Sequence, residues 1–396
     1  MNMNEQMKES EESILHTYNR FPVVFEKGQG CYLYDSEGKE YLDFAAGIAV
    51  NSLGYHYPGY DEALKDQIDK LMHISNLYYN EPIIEAGAKL VKASKMSKAF
   101  FTNSGTEAIE GALKAAKKYA YVRDGHADHE IIAMNHSFHG RSIGALSVTG
   151  TAHYREPFEP LMGGVKFADF NDLESVKAQI TDKTCAIITE VVQGEGGIYP
   201  AKKEFLEGLR QICDEKDIIL IFDEIQCGMG RTGHYFAWQA YGVQPDIMTN
   251  AKALGCGVPV GAFVLNEKAA KASLEPGDHG TTYGGNPFVC AAVSKVFDIY
   301  ENDRIIEHVQ EMTPYLEQKL DELVAKHECA VTRRGMGFMQ GIVIQGRPVG
   351  EVVKAALAKG LLVISAGSDV LRIVPPLVIT KEHIDKMAAI LDECME

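Results

Sequence analysis

Four short stretches of this chain are almost continuously apolar, and this feature limits the possible folds more than any other. They cover residues 131–134, 185–189, 218–222 and 261–265. A strand with one face in water alternates apolar and polar residues, so a run without alternation predicts a strand buried on both faces. Segments with helical periodicity accompany these runs, at residues 108–121, 173–180 and 203–215. The alternation predicts an α/β fold with a mostly parallel sheet between helices.

Both ends of the chain differ in pattern from its middle. Residues 31–44 predict two short strands joined by a turn. Helical periodicity returns after Pro287, over residues 289–301, 304–326 and 382–394. At ~150 residues per domain, a chain of 396 residues has room for two or three domains. We predict a large domain and a small α+β domain built from both chain ends, with the boundaries 1–60, 61–290 and 291–396.

Composition and charge argue against several classes of protein. The chain carries 39 basic and 55 acidic residues, a net charge of −16, which argues against nucleic acid or an anionic membrane as its main partner. No apolar run approaches the ~20 residues of a membrane-spanning helix, and residues 1–13 lack the apolar stretch of a secretory signal. We therefore expect a cytoplasmic protein. The eight cysteines form no C-x-x-C pair and are expected to be buried thiols.

The segment Thr102-Asn103-Ser104-Gly105-Thr106-Glu107 is typical of a helix start. Ser104 and Glu107 have the spacing of a capping box. A helix start made of small residues exposes free backbone N–H groups, which can hold a phosphate. The hexapeptide alone favours an ordinary helix cap over a phosphate site, and it is not a P-loop because G-x-x-x-x-G-K-[ST] is absent.

Asp223 and Glu224 directly follow the apolar run 218–222. Carboxylates at the carboxyl end of a buried strand lie where the ligands of open parallel sheets bind. Two alternatives stay open here: Asp223 caps the following turn, or the acidic pair binds Mg²⁺, with His136 and His139 as further ligands. Because no third cluster of metal-ligating residues supports the metal, we expect none.

Lys252 follows another apolar strand and has small and apolar neighbours. Such surroundings lower the pKa of a lysine, as an amine that bonds to a carbonyl carbon requires. A lysine that bonds to an aldehyde, a carboxylate that keeps a pyridine nitrogen protonated and a phosphate cradle are three parts of a pyridoxal-phosphate site. The sequence therefore predicts this cofactor, with Lys252 and Asp223 as the catalytic residues.

Longer motifs around these residues resemble those of a known family. Residues 221–233 and the segment from Pro245 to Lys252 are similar to the signature of the class-III pyridoxal-phosphate-dependent aminotransferases. Within that class, further motifs resemble those of acetylornithine aminotransferases: Gly47–Asn51, Asn103–Ala108, Ser137–Arg141, Gln193–Gly197, His279–Pro287 and Leu371–Leu377. The resemblance covers nearly the whole chain. It implies fold type I of the pyridoxal-phosphate-dependent transferases and a homodimer with shared active sites.

The resemblance also implies roles for the cofactor-site residues. Lys252 would bond to the cofactor aldehyde, Asp223 would pair with the pyridine nitrogen, and Gln226 would bind the ring hydroxyl. Phe138 would stack on the ring, with core packing as the alternative. Thr282 would complete the phosphate cradle from the partner subunit. The complete implied set is Ser104, Gly105, Thr106, Phe138, Asp223, Glu224, Ile225, Gln226, Lys252 and Thr282.

Four further residues are implied to bind the substrates. Arg141 and Arg372 lie among apolar or small residues, and an arginine fork binds a carboxylate through two hydrogen bonds. In the family, one such arginine handles the acylated substrate and the other the α-carboxylate of glutamate. Glu195 matches a carboxylate that pairs with Arg372 and releases it when the diacid arrives, with an ordinary loop charge as the alternative. Thr281 matches a hydroxyl that contacts the acylated substrate.

The function implied by the resemblance is transfer of the δ-amino group of N2-acetylornithine to 2-oxoglutarate, in arginine biosynthesis. Succinylornithine, ornithine and 4-aminobutyrate are alternative donors, and an aminomutase would need no 2-oxoglutarate. A dinucleotide-binding oxidoreductase is an alternative from another class, but no G-x-G-x-x-G follows an early strand. Asn250, Cys256 and Cys227 depart from residues more usual in the family without removing a predicted catalytic group.

Overall fold

The computed structural model describes residues 2–396, which form one large sheet and three smaller ones with helices around them. The strands are β1 (Phe25–Gln29), β2 (Tyr32–Asp35), β3 (Glu40–Asp43), β4 (Lys98–Thr102), β5 (Glu130–Met134), β6 (Val165–Ala168), β7 (Thr184–Glu190), β8 (Val192–Gln193), β9 (Tyr199–Pro200), β10 (Ile219–Asp223), β11 (Ile247–Asn250), β12 (Gly261–Leu265), β13 (Ala330–Met336), β14 (Met339–Ile344), β15 (Leu361–Leu362), β16 (Ile364–Ala366) and β17 (Val370–Ile373). The α-helices are α1 (Met3–Ser13), α2 (Ala46–Ala49), α3 (Tyr60–Lys70), α4 (Glu81–Ser94), α5 (Gly105–Asp124), α6 (Ile143–Ser147), α7 (Ala152–Arg155), α8 (Leu173–Gln179), α9 (Lys203–Glu215), α10 (Trp238–Tyr241), α11 (Glu267–Lys271), α12 (Pro287–Asn302), α13 (Ile305–Lys326), α14 (Val349–Ala358) and α15 (Lys381–Met395).

The large sheet has seven strands in the order β4-β12-β11-β10-β7-β5-β6. Strand β10 runs parallel to β11 and β7, and β5 runs parallel to β7 and β6. Strand β12 runs antiparallel to both its neighbours, so β4 has the direction of the other five. The prediction of an α/β fold with a mostly parallel sheet is confirmed.

Alternate residues of the central strands face two separate cores. In β10, Leu220 and Phe222 belong to one buried cluster, whereas Ile219 and Ile221 belong to the other. Every residue of β7, β10, β11 and β12 is buried, as the apolar runs predict. Each aliphatic or aromatic side chain removed from water on these faces stabilises the fold by about 1.5–3 kcal/mol.

The direction of the strands brings the loops of interest to one edge of the sheet. Strands β4, β5, β7, β10 and β11 all have their carboxyl ends at this edge, because they share one direction. Strand β12 is reversed, so it begins there, directly after the loop that follows Lys252. Ligands of sheets of this kind bind at the carboxyl edge.

Two smaller sheets are formed by the ends of the chain. One has the order β1-β2-β3-β15, in which β15 pairs parallel with β3 and so joins the C-terminal part to the N-terminal part. The other has the order β13-β14-β17-β16. The domain boundaries at residues 60 and 290 stay a prediction.

Most of the predicted elements are present. The predicted helices correspond to α5, α8, α9, α12, α13 and α15 within a few residues. Sequence analysis placed no helix at α1, α3 or α4. Helix α1 buries none of its side chains, so it has no apolar stripe to detect. All eight cysteines are free, and all but Cys329 are buried, as expected. Of the described helices, none combines the length and the apolar character needed to cross a membrane.

Candidate active site

A cavity of about 490 Å³ opens at the carboxyl edge of the large sheet. Loops after five strands contribute to its walls, so residues far apart in the sequence meet there. The predicted residues that line it are Ser104, Gly105, Thr106, Phe138, Arg141, Asp223, Ile225, Gln226 and Lys252. The structure therefore brings nine of the predicted site residues to one cavity.

The N-terminus of α5 forms one wall of the cavity. The N–H groups of Gly105 and Thr106 are the first of the helix and have no acceptor within it. Adding a Cβ to Gly105 would place it 2.9 Å from Cδ1 of Ile225, so the helix start and the Ile225 loop are packed together as closely as glycine permits. The Thr106 hydroxyl lies 2.8 Å from that of Ser142. This helix end has the free donors and the dipole that an anion requires.

The expected capping box at this helix is only half formed. Ser104 Oγ accepts the Glu107 N–H at 3.3 Å, as predicted. The Glu107 carboxylate, however, accepts the N–H of Asn103 at 2.8 Å instead of that of Ser104. It also accepts the Asn103 side-chain amide. Glu107 therefore holds Asn103, the residue before the N-cap, and not the N-cap Ser104 as the capping box requires.

Asp223 ends β10 and is held by three donors. Its side chain is 3% exposed. One carboxylate oxygen accepts the Ile225 N–H at 3.0 Å and the Thr249 hydroxyl at 3.2 Å. The other lies 2.7 Å from Nδ1 of His139, which donates because a carboxylate only accepts. Asp223 therefore has a fixed orientation in the cavity wall.

Lys252 lies in a single 3₁₀ turn directly after β11, with a left-handed φ of 48°. Burial lowers the pKa of its ammonium group, and the nearby charge of Arg372 acts in the same direction, although Glu195 and Asp223 oppose the shift. The predicted lowering of this pKa is therefore present. A left-handed non-glycine residue is uncommon and is often found at functional positions.

Arg372 and Glu195 form an ion pair beside Lys252. Arg372 is 3% exposed, and its two terminal nitrogens donate to the Glu195 carboxylate at 2.5 and 3.3 Å. It also donates to Oε1 of Gln226 at 3.2 Å. Burial raises the pKa of Glu195, but the Arg372 guanidinium, together with Lys252 and Gln226, leaves this pKa below its ordinary value. The two charges thus neutralise each other next to Gln226, which lines the cavity.

Arg141 is exposed at the cavity mouth and stacks on an aromatic ring. Its guanidinium carbon lies 3.9 Å from the ring centre of Tyr154 and 5.2 Å from that of Phe138. Phe138 and Tyr154 meet edge to face at 6.1 Å. The two rings restrict the guanidinium through cation–π contacts while its N–H groups stay available.

Five predicted residues lie outside the lining of the cavity: the Arg372–Glu195 pair, and Glu224, Thr281 and Thr282. The Glu224 carboxylate points away from the cavity and accepts the N–H groups of Ala237 and Trp238, both at 2.8 Å, so its place in the cofactor set stays a prediction. The chain turns after β10, so the side chain that follows Asp223 points into the interior. Thr281 accepts from Asn103 at 3.1 Å, next to the helix start, and Thr282 is exposed.

Sequence analysis missed three residues of the site. His139 was considered only as a metal ligand, and Tyr154 carried no motif. Glu190 is buried at the end of β7, level with Asp223 in the sheet register, and accepts the N–H groups of Phe138 and Gly194. Burial, reinforced by the charge of Asp223, raises its pKa well above the ordinary value. Glu190 follows an apolar run as Asp223 does, so the same signal was available.

The alternative magnesium site does not assemble. His139 bonds to Asp223, but Glu224 points to α10 and His136 is exposed. Within residues 2–396, these four side chains form no group of three metal ligands.

The fold and cavity together define a pyridoxal-phosphate-dependent transferase of fold type I. The chain belongs to the class-III aminotransferase family, which it matches over residues 14–395. The acetylornithine aminotransferase of Clostridium acetobutylicum is 47% identical over 98% of this chain and 100% of the relative. The succinylornithine transaminase of Yersinia pseudotuberculosis is 43% identical over 94% and 92%. A solved ornithine aminotransferase of Toxoplasma gondii has a TM-score of 0.95 at 28% identity, over 100% of this chain and 95% of that one.

The residues present fit pyridoxal phosphate, the cofactor of this family. The free N–H groups at the start of α5 suit its phosphate, and the fixed Asp223 carboxylate suits a protonated ring nitrogen. Lys252 lines the same cavity and has the lowered pKa that bond formation to an aldehyde requires.

Proposed function

We propose that this aminotransferase moves the δ-amino group of N2-acetylornithine to 2-oxoglutarate. The products are N-acetylglutamate 5-semialdehyde and glutamate, and the reaction would serve arginine biosynthesis. One observation carries the proposal: a buried arginine that bonds to Gln226 in the cavity wall is neutralised by a carboxylate of its own chain. Such a pair suits an enzyme that must accept, in turn, a substrate end without a carboxylate and one with it.

The cofactor, when bound, supplies an aldehyde for the amine and a protonated pyridine ring that takes up negative charge. The Nζ atom of Lys252 would take the proton from the δ-carbon of the donor and return it on the cofactor side. Its lowered pKa leaves more of the amine in the neutral form that can accept a proton. Asp223 would keep the ring nitrogen protonated, and His139 fixes the direction of that carboxylate.

Arg372 is the proposed site for the α-carboxylate of glutamate and of 2-oxoglutarate. A planar guanidinium binds a carboxylate through two parallel hydrogen bonds. Leaving it unpaired while the acetylornithine amine enters would cost about 3–5 kcal/mol if the charge is well buried. Glu195 prevents this cost by pairing with Arg372, and it is one-quarter exposed, so its side chain has room to turn away when the diacid binds.

Arg141 is the proposed site for the carboxylate of the acylated donor. Its exposed position at the cavity mouth suits the far end of a substrate whose reacting amine points to Lys252. Tyr154 stacks on the guanidinium of Arg141. Thr281 accepts a hydrogen bond from Asn103, which lines the same cavity. These contacts support a donor with a carboxylate and an acyl group at the end opposite its amine.

Succinylornithine is the second candidate donor, because a relative that is 43% identical bears its name. The two donors differ only in the acyl group and share the reacting amine. Arg141 is already the proposed partner of the donor carboxylate, so the additional carboxylate of the succinyl group would have to share this cation at the open cavity mouth. Ornithine would lack an acyl group and would present a second cation to Arg141.

A panel of amino donors with 2-oxoglutarate tests the proposal. We expect the highest kcat/KM for N2-acetylornithine, a lower value for succinylornithine, and much lower values for ornithine and 4-aminobutyrate. The two-substrate plots should give parallel lines, because the donor product leaves before 2-oxoglutarate binds. Intersecting lines, turnover without 2-oxoglutarate, or a preference for ornithine would contradict the assignment.

The assembly is also part of the proposal. The exposed loop residues Leu77, Tyr78 and Tyr79 form an apolar surface, and the same loop contacts the segment of Thr282 through Asn76, which donates to the Gly284 carbonyl at 2.8 Å. An apolar surface next to an exposed predicted site residue supports a homodimer in which Thr282 completes the partner's phosphate site. The cytoplasmic location stays a prediction.

A further inference from the structure

A cluster of three metal-ligating side chains lies at the end of α5 opposite to the cavity. Asp124 ends the helix, and His126 and His129 follow in the loop before β5. One ligand atom from each lies within 4.8 Å of the others. Among the described residues, no other group of three His, Cys, Asp or Glu side chains comes as close.

His129 is the feature that distinguishes this cluster from an ordinary surface grouping. It is 4% exposed, yet neither ring nitrogen has a hydrogen-bond partner within the described part of the chain. Its Nε2 faces Asp124 Oδ2 at 3.8 Å, too far for a hydrogen bond. The His126 and His129 rings are stacked with their centres 4.7 Å apart. Buried polar groups are normally satisfied, so an imidazole left open on both sides indicates a missing partner.

We propose that Asp124, His126 and His129 bind a divalent transition-metal ion of the zinc type. Two imidazoles and a carboxylate are a common ligand set for Zn²⁺, with water in the fourth position. The ligand atoms of a tetrahedral zinc ion lie roughly 3–4 Å apart, so small rotations of the exposed Asp124 and His126 side chains complete the site around the buried imidazole. The expectation of no metal concerned the Asp223–Glu224 segment, and the D-x-H-x-x-H spacing of the present cluster lies in another part of the chain.

The surroundings decide which ions fit. Arg123 donates to both oxygens of Asp124 at 2.6 Å, and a carboxylate has about four lone-pair positions, so it can bridge the guanidinium and a metal. The nearby cation weakens binding of ions that depend on charge alone. The carboxylate of Asp128, in the same loop, is paired with Lys183. The site therefore favours an ion that binds imidazole strongly over Mg²⁺ or Ca²⁺, which prefer oxygen ligands.

The ion would fasten the end of α5 to the start of β5. The helix has 20 residues, so its two ends are ~30 Å apart at 1.5 Å per residue. Metal at this site is therefore expected to raise the stability of the fold and to leave the cavity chemistry unchanged.

Zinc titration of the full-length holoenzyme, after treatment with a chelator, tests the proposal. We expect one equivalent of Zn²⁺ per chain by isothermal titration calorimetry and a melting temperature raised by a few degrees. His126→Ala and Asp124→Asn change exposed residues, so their folding is not at risk. Each should weaken zinc binding at least ten-fold and abolish the rise in melting temperature, while turnover stays at the wild-type value.

His16→Ala is the matched control. His16 is also exposed and lies 2.5 Å from a carboxylate, Glu11, but it belongs to no group of three ligands. This variant should bind zinc as the wild type does. Wild-type protein that takes up no zinc, or equal binding by wild type, His126→Ala and Asp124→Asn, would overturn the site. Neither result would bear on the aminotransferase assignment, which rests on the other end of the helix.

Discussion

At the scale of single residues, Lys252 is the group whose chemistry no neighbour can replace. Lys252→Ala should abolish the absorbance band of the lysine-bound cofactor and lower kcat by more than about a thousand-fold, because the described lining of the cavity offers no second lysine to bond to the aldehyde or to move the proton. The spectrum before and after borohydride and the steady-state rate measure both effects.

Lys271→Ala is the control for that substitution, because Lys271 is an exposed lysine on α11. It should keep the spectrum and the rate of the wild type. A Lys252→Ala protein that retained the borohydride-sensitive band, or turned over at a near wild-type rate, would show that another lysine is the nucleophile.

The Arg372–Glu195 pair should separate the two half-reactions. Arg372→Ala removes the proposed carboxylate site, so the glutamate half-reaction should slow by about a hundred-fold, while the acetylornithine half-reaction changes little. Glu195→Gln leaves Arg372 without its counter-charge, so glutamate should gain relative to the ω-amine. Single-turnover absorbance of each half-reaction measures the ratio. Equal losses on both halves in either variant would leave the pair as a structural ion pair.

Glu224 should make the stability of the protein depend on pH. Burial raises its pKa from the ordinary 4.5 to about 7, although the Ala237 and Trp238 N–H groups oppose the shift. Its contribution to stability is complete below pH 4.5 and is lost as the pH rises through 7, by about 3 kcal/mol. Glu224→Gln does not titrate, so the difference in melting temperature between wild type and variant should shift in favour of the variant from pH 5 to pH 8. A constant difference over this range would contradict the raised pKa.

Single residues were predictable where a local pattern ends abruptly. Asp223 and Lys252 follow apolar strands, and this signal placed both of them at the cavity. His139 and Tyr154 escaped prediction because their roles depend on contacts with Asp223 and Arg141 that only the folded chain makes. Glu190 has the same sequence signal as Asp223, but its closeness to Asp223 follows only from the pairing of β7 with β10. The contact between His139 and Asp223 joins residues 84 positions apart, and no local spacing contains it.

At the scale of elements, the start of α5 is packed so closely against the Ile225 loop that it leaves no room for a side chain at Gly105. Gly105→Ala would bring a methyl group within 2.9 Å of Ile225, and such overpacking costs about 1–3 kcal/mol. The displaced N–H groups should then bind pyridoxal phosphate about ten-fold more weakly. The dissociation constant of the cofactor, measured by fluorescence quenching of the apoenzyme, gives the effect.

Gly350→Ala is the matched control, because Gly350 lies in the first turn of α14 and a Cβ there meets no atom within 4 Å. It should leave cofactor binding unchanged. If both variants bound the cofactor as tightly as the wild type, the α5 junction would not be the phosphate cradle.

The type of each central element was more predictable than its direction. The run 261–265 predicts a strand buried on both faces, and β12 is buried throughout. Its antiparallel direction cannot be predicted from the run, because the burial of a strand depends on what covers the two faces of the sheet and not on the direction in which the strand runs. Helix α3 escaped prediction for another reason: it buries only Tyr60 and Gln67, too few for an apolar stripe.

At the scale of the whole molecule, the apolar surface of Leu77, Tyr78 and Tyr79 is expected to pack against another protein chain. Tyr79 is 95% exposed and Leu77 is 88% exposed, and the ring of His73, in the same loop, lies 5.2 Å from that of Tyr283. Thr282 is therefore beside a surface that a second copy of the chain would bury. An isologous dimer would apply this segment to the other subunit's cavity and the reverse.

Mixed dimers test whether the active sites are shared. Lys252→Ala removes the nucleophile, and Thr282→Glu places a negative charge where a phosphate is expected, so each homodimer should be inactive. If Thr282 serves the partner's site, the mixed dimer carries both lesions in one site and keeps the other intact, so it should recover about half of the wild-type activity. If Thr282 serves its own site, both sites of the mixed dimer are damaged and no activity returns. Co-expression with two affinity tags and sequential purification isolates the mixed dimer for the assay, and a protein that purifies only as a monomer would contradict the shared site directly.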